Sequence, residues 1–119
     1  MERVRFVTHD GKQILIADLT HCSATEVESI VRALPDRVTS QPLQSVRLLV
    51  DFSGASFDEE ALRTMKETAA FDKPYIKKVA WVGANSLPDS FLELISQFSG
   101  REFPLFKNVL VALDWLAKD

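Results

Sequence analysis

The sequence predicts an α/β fold with a mostly parallel sheet. Three observations carry the prediction: apolar runs of strand length alternate with segments whose apolar residues recur at helical spacing, helix-start signals follow those runs, and Pro or Gly punctuates the returns. The order reads as an N-terminal antiparallel hairpin strand followed by strands and helices in alternation, about five strands and four helices in one domain over residues 1–119. Parallel neighbours joined this way need right-handed crossovers.

The hairpin comes first. Val4 and Phe6 alternate with Arg3 and Arg5, and His9, Asp10, Gly11 and Lys12 supply a turn before the next run. Residues 14–19 are almost continuously apolar, which suits a strand covered on both faces. Ser23 with Glu26 three positions on forms a capping box, and Val27, Ile30, Val31 and Leu34 follow on one helical face. Pro35 removes a helical hydrogen bond, so the helix is expected to end or kink there.

The stretch 46–62, VRLLVDFSGASFDEEAL, is the most informative in the chain. An apolar strand stops at Asp51, turns through Ser53 and Gly54, and restarts as a helix; in α/β proteins ligands and partners are met at such strand ends. Ser56 with Glu59 repeats the capping-box pattern, placing a helix to about residue 70 with Leu62, Met65 and Ala69 inward. Lys73 and Pro74 break it, 76–82 reads as a strand, and Gly83 with Asn85 allows a turn. Pro88 suits a first helical turn, so 87–98 is expected to be helical, with Gly100 as its C-cap. A short strand over 103–106 and a last helix, capped by Asn108 and carrying Val109, Ala112, Leu113 and Leu116 on one face, complete the pattern.

Composition narrows the function classes. The chain has 119 residues, 46% hydrophobic and 26% charged, the make-up of an ordinary globular protein able to bury a core. Lys and Arg number 14 against 17 Asp and Glu, for a net charge of −3, and no basic run offers an electrostatic footprint for nucleic acid. A lone cysteine, Cys22, excludes an intrachain disulfide framework and fits a reducing compartment. No stretch approaches a membrane span and the N-terminus lacks an apolar secretory core, so a cytoplasmic setting is expected.

The order of elements together with LLVDFSGASFDEEAL resembles the STAS domain of anti-sigma factor antagonists, in which a strand ending in Asp-x-Ser leads to a phosphorylatable serine at a helix start. The segments QPLQSVRLLVDFSGASFDEEALRTMKE, KPYIKKVAWVG, FSGREFPLFKN and ALDWLAKD resemble more closely the STAS/SEC14 (SpoIIAA-like) family of small stand-alone bacterial proteins. That resemblance implies a SpoIIAA-like β-α superhelix and says less about activity, because one fold hosts many functions. Where a phosphoregulated STAS domain has its serine, this sequence has Asp58, Glu59 and Glu60. A carboxylate is always charged and cannot be switched as a phosphate can, so kinase-controlled binding is not expected.

Other constellations carry less. His9, Asp10, Asp18, His21 and Cys22 are of ligand type but match no metal-ligand spacing, so no metal or cofactor is expected. Asp18, His21 and Cys22 do not make a catalytic set, since neighbours at a strand end point in different directions. Asp51, Asp58 and Glu60 read as solvated acids near a helix start and not as an acid/base pair. Lys66, Tyr75, Lys77, Lys78 and Arg101 could converge from different elements, although exposed cations are the ordinary reading. Trp81, Phe91, Leu94, Phe98 and Trp115 supply an aromatic load that mostly fills a core, and that load also allows a homodimer.

Two functions from different classes are consistent with these residues. The first is a non-catalytic interaction module that meets an unknown protein partner through the turn from Ser53 to Glu60 and the helix beyond it, with Asp51, Ser53, Asp58 and Glu59 as candidate contacts, as the STAS resemblance implies. The second, implied by the SEC14 side of the resemblance, is a carrier of a small apolar, lipid-like ligand held between the helix of Lys66 and the helix of Phe91 and Phe98. No nucleophile, base and orienting partner stand at telling spacing, so an enzyme is not expected.

Overall fold

The computed structural model describes residues 3–83, Asp89, Glu93 and 104–118. Among these residues, five strands form one sheet in sequential order: β1 (Val4–His9), β2 (Lys12–Asp18), β3 (Val46–Asp51), β4 (Ile76–Val82) and β5 (Leu105–Phe106). β1 pairs antiparallel with β2, and every other pairing is parallel. The hairpin closes at Asp10 and Gly11, both with positive φ (51° and 76°), the two-residue primed turn that matches strand twist.

Alternation along the strands divides the core in two. Leu15, Ala17, Leu48, Val50, Val79 and Trp81 point to one face, where Val27, Val31, Leu34 and Val38 of α1 (Ala24–Val38) and Ala61 and Met65 of α2 (Glu59–Asp72) cover them. Ile14, Ile16, Leu49, Ala80 and Val82 point to the other, covered by Ala112 and Leu116 of α3 (Val109–Ala117). With helices on both faces, β2, β3 and β4 need apolar side chains at consecutive positions, which is why they read as unbroken apolar runs.

Capping residues set most helix starts. Ser23 accepts from the Glu26 N–H at 3.2 Å while Glu26 accepts from the Ser23 N–H at 3.0 Å, the reciprocal box expected. Asn108 caps α3 by accepting from the Val111 N–H at 2.9 Å. At the other end of α3, Arg47 donates to the Leu116 carbonyl at 2.5 Å and Lys78 to the Trp115 carbonyl at 2.7 Å. Both cations serve the negative end of the helix dipole, and Lys78 also stacks 4.0 Å over the Trp115 ring. A register shift between Val46 and Arg47 makes Arg47 and Lys78 cross-strand partners, so this irregularity aims both at the same helix end.

Two expectations need correction and one is narrowed. Of the alternatives at Pro35, α1 does not end there but runs a further turn to Val38, where the Thr39 N–H reaches the Pro35 carbonyl at 2.9 Å. Ser56 does not cap α2: Phe57 turns inward against Phe52, 5.7 Å between centroids, which delays the helix until Asp58 accepts from the Ala61 N–H at 2.8 Å. The stripe of α2 shifts with it, so that Ala61, Thr64, Met65, Thr68 and Asp72 are buried and Leu62 and Ala69 only flank the core. Among the described residues there are three α-helices; the expected helix over 87–98 lies outside them except for Asp89 and Glu93, both helical and exposed. None of the described helices is long and apolar enough to cross a membrane.

Candidate functional site

At the carboxyl ends of the strands the backbone ladder continues past the strands themselves. The Leu19 N–H donates to the Asp51 carbonyl at 2.9 Å, the His21 N–H to the Ser53 carbonyl at 2.9 Å, the Phe52 N–H to the Val82 carbonyl at 2.8 Å and the Gly83 N–H to the Phe106 carbonyl at 3.3 Å. The Ser56 N–H reaches back to the Cys22 carbonyl at 2.9 Å, so the loop after β2 and the loop after β3 are tied together twice. The result is an ordered rim in which side chains hold defined positions.

Two carboxylates open this rim in register. Asp18 and Asp51 are cross-strand partners, and each turns its chain with its own side chain. Asp51 Oδ1 accepts from the Ser53 N–H at 3.0 Å; Asp18 Oδ1 accepts from the Thr20 N–H at 3.0 Å and from its hydroxyl at 2.5 Å. Burial alone would raise the Asp18 pKa, but the two Thr20 bonds and the charges of Arg3 and Arg5 outweigh it and hold the carboxyl below its ordinary value. Arg3 further donates to the Thr20 carbonyl at 2.9 Å. Asp18, Thr20 and Arg3 were missed as a group, yet a signal existed: Asp18-Leu19-Thr20 and Asp51-Phe52-Ser53 repeat the pattern acid, apolar, hydroxyl at two strand ends.

Close packing seals the loops. His21 has a positive φ of 57°, and its ring lies so near Gly54 that a Cβ there would fall 2.4 Å from Nδ1. Cys22 is buried; burial raises its thiol pKa against the nearby Arg3, with Glu26 and Asp18 adding to the rise, which leaves a poor nucleophile at neutral pH. Beneath the rim, Trp81 meets Phe52 edge-on at 4.9 Å and is itself buried.

The other singled-out residues separate. Asp58 and Glu59 open α2, both exposed, and Glu60 beside them is exposed as well. Lys66 is half-buried two turns into that helix. Tyr75 is half-buried before β4, at the opposite end of that strand from Trp81. Lys77 is exposed, whereas Lys78 belongs to the α3 end, so Tyr75, Lys77 and Lys78 do not join the strand-end rim. Phe91, Phe98 and Arg101 lie outside the described residues, as does the space between the Lys66 helix and 87–98 expected to hold an apolar ligand. A described groove of about 280 Å³ runs between α1 and α2, lined by Arg32, Pro35, Thr64, Glu67, Thr68 and Phe71.

Similarity to a solved structure accords with this architecture. An uncharacterised protein from the DUF3478 family, with a SpoIIAA-like fold, from Shewanella loihica PV-4 superposes with a TM-score of 0.73 at 17% identity, covering 96% of this chain and 92% of that one. The chain has a SpoIIAA-like fold. No family model matches the sequence, and neither does any curated protein. At this level of identity the SpoIIAA-like likeness concerns architecture, and the reading of function rests on the residues of the rim.

Proposed function

We propose that this SpoIIAA-like chain is a non-catalytic interaction module that docks a protein partner through the strand-end rim and the first turn of α2. The observation that carries the reading is the chemistry of the α2 start. Its cap is the carboxylate of Asp58, followed by exposed Glu59 and Glu60, where a phosphoregulated domain of the resembling kind would place a serine. Acids beside the positive end of a helix are stabilised by its dipole and give a fixed negative surface, with Arg32 of α1 near Glu60. The tied loops behind them supply the rigidity that limits the entropy lost on docking.

A partner that reads this surface presents basic side chains, and its association is steered by charge and weakened by salt. Acid/base chemistry has little support at the rim, because the carboxylates of Asp18 and Asp51 are occupied in turning their own loops. The test is crosslinking with affinity capture from the native cytoplasm, comparing wild type with the Glu59→Lys/Glu60→Lys variant. Capture of a defined partner is expected to fall at least about fivefold at moderate salt, with the far-ultraviolet spectrum unchanged. Equal capture by both proteins would count against the reading.

A further inference from the structure

The hairpin turn lies at the opposite end of β2 from the rim, and there it meets α3. Six or seven residues of strand separate the two places by roughly 20 Å at ~3.3 Å per residue, so Asp18, His21 and Cys22 cannot share a site with His9 and Asp10. A different residue, 105 positions from His9 in sequence, takes their place: Asp114 of α3. His9 Nε2 lies 2.7 Å from Asp114 Oδ1 and 3.6 Å from Asp10 Oδ2, and one ligand atom from each residue lies within 4.8 Å of the others. We propose that His9, Asp10 and Asp114 form a binding site for a divalent first-row transition-metal cation, with Zn²⁺ the ion whose chemistry it fits best.

Donor type and geometry both favour this. Zinc takes imidazole nitrogen and carboxylate oxygen at roughly 2.0–2.2 Å, which in a tetrahedron places neighbouring donor atoms roughly 3.3 Å apart. The His9 to Asp10 spacing of 3.6 Å is already close to that, and the 2.7 Å hydrogen bond to Asp114 has only to open slightly as the metal replaces the shared proton. The Asp114 side chain is 54% exposed and has room to do so, while the His9 side chain is 21% exposed. Both carboxylates face the same ring nitrogen, so Nε2 is the ligand atom. Charge points the same way: two carboxylates on one imidazole leave a net negative cluster even when the ring is protonated, and a divalent cation balances it. Calcium and magnesium prefer six or more oxygen donors, which a three-residue set containing nitrogen does not supply. The fourth position opens to solvent and would be filled by water, and the bound ion would fasten the turn beside edge strand β1 to α3.

The experiment is titration of metal-free protein with Zn²⁺ by calorimetry and with Co²⁺ by visible absorption. One equivalent is expected to bind with micromolar or tighter affinity, Co²⁺ giving the d–d bands of a site with nitrogen and oxygen donors. Asp114→Asn is expected to weaken binding at least about tenfold and His9→Gln to abolish the cobalt bands, whereas Asp36→Asn, an exposed carboxylate on α1, leaves both unchanged. Should His9→Gln fold poorly, Mn²⁺ added to wild-type protein in substoichiometric amounts is expected to broaden the amide resonances of residues 9, 10 and 114 first. Binding only in the millimolar range, binding that survives both substitutions, or broadening centred elsewhere would overturn the proposal.

Discussion

Asp72, the last residue of α2, shows how one side chain can work against its own ionisation. It is 3% exposed, its Oδ1 has no hydrogen-bond partner among the described residues, and burial pushes its pKa up from the model-compound value of 3.8 to about 7. A carboxylate at a helix C-terminus also faces the negative end of the dipole. The sign of the linkage follows from the folded value lying above the unfolded one. Between pH 3.8 and about 7 the unfolded chain releases a proton that the folded chain keeps, so stability falls as pH rises through that window. Asp72→Asn, which keeps the shape and cannot ionise, is expected to add about 1–3 kcal/mol at pH 8 and much less at pH 4. Urea denaturation at the two pH values measures this, and a gap that does not change with pH would exclude ionisation as its cause.

At the scale of an element, α1 carries a proline in its fourth turn and continues. Pro35 lacks the N–H that would reach the Val31 carbonyl, yet Val38 beyond it is fully buried, and closing the core over that valine holds the helix together past the defect. Pro35→Ala restores the missing hydrogen bond and relieves ring crowding, offset in part by a more flexible unfolded chain, and is expected to raise stability by about 1–2 kcal/mol with a higher Tm. A lower Tm would mean that the ring's packing in the groove beside Arg32 and Phe71 outweighs the backbone defect. The same contest explains what sequence reading could reach. The strands were legible because burial on both faces writes itself as uninterrupted apolar runs, and the caps at Ser23 and Asn108 because a cap is a local bond within three residues. The end of α1 and the start of α2 were not, since Val38 and Phe57 are placed by contacts with distant core residues. Likewise Asp51 and Ser53 could be singled out from one strand end, whereas Asp18 as partner to Asp51, and Asp114 as partner to His9, depend on pairing and packing that no local pattern encodes.

At the scale of the whole molecule, the sheet's four parallel strands end on a common backbone ladder, and Gly83 is where that ladder is tightest. Its φ is 69°, and a Cβ added there would lie 2.3 Å from Ser53 Oγ, 2.8 Å from Ser53 N and 2.9 Å from Ser53 Cα. A hydroxyl can rotate away, but the two backbone atoms belong to the loop whose carbonyl receives the His21 N–H and cannot yield alone. Gly11 makes the control, with φ 76° and nothing within 4 Å of its added Cβ. Gly11→Ala therefore pays only the left-handed backbone cost of about 1 kcal/mol, whereas Gly83→Ala adds the overlap and is expected to cost about 2–4 kcal/mol. Because Ser53 is displaced, the damage should spread along the ladder: amide hydrogen exchange is expected to accelerate at residues 19–21 and 52–56 in Gly83→Ala and to remain at wild-type rates there in Gly11→Ala. Equal destabilisation by the two substitutions, or an exchange response confined to residues 82–84, would show that the strand ends are independent loops and not one connected rim.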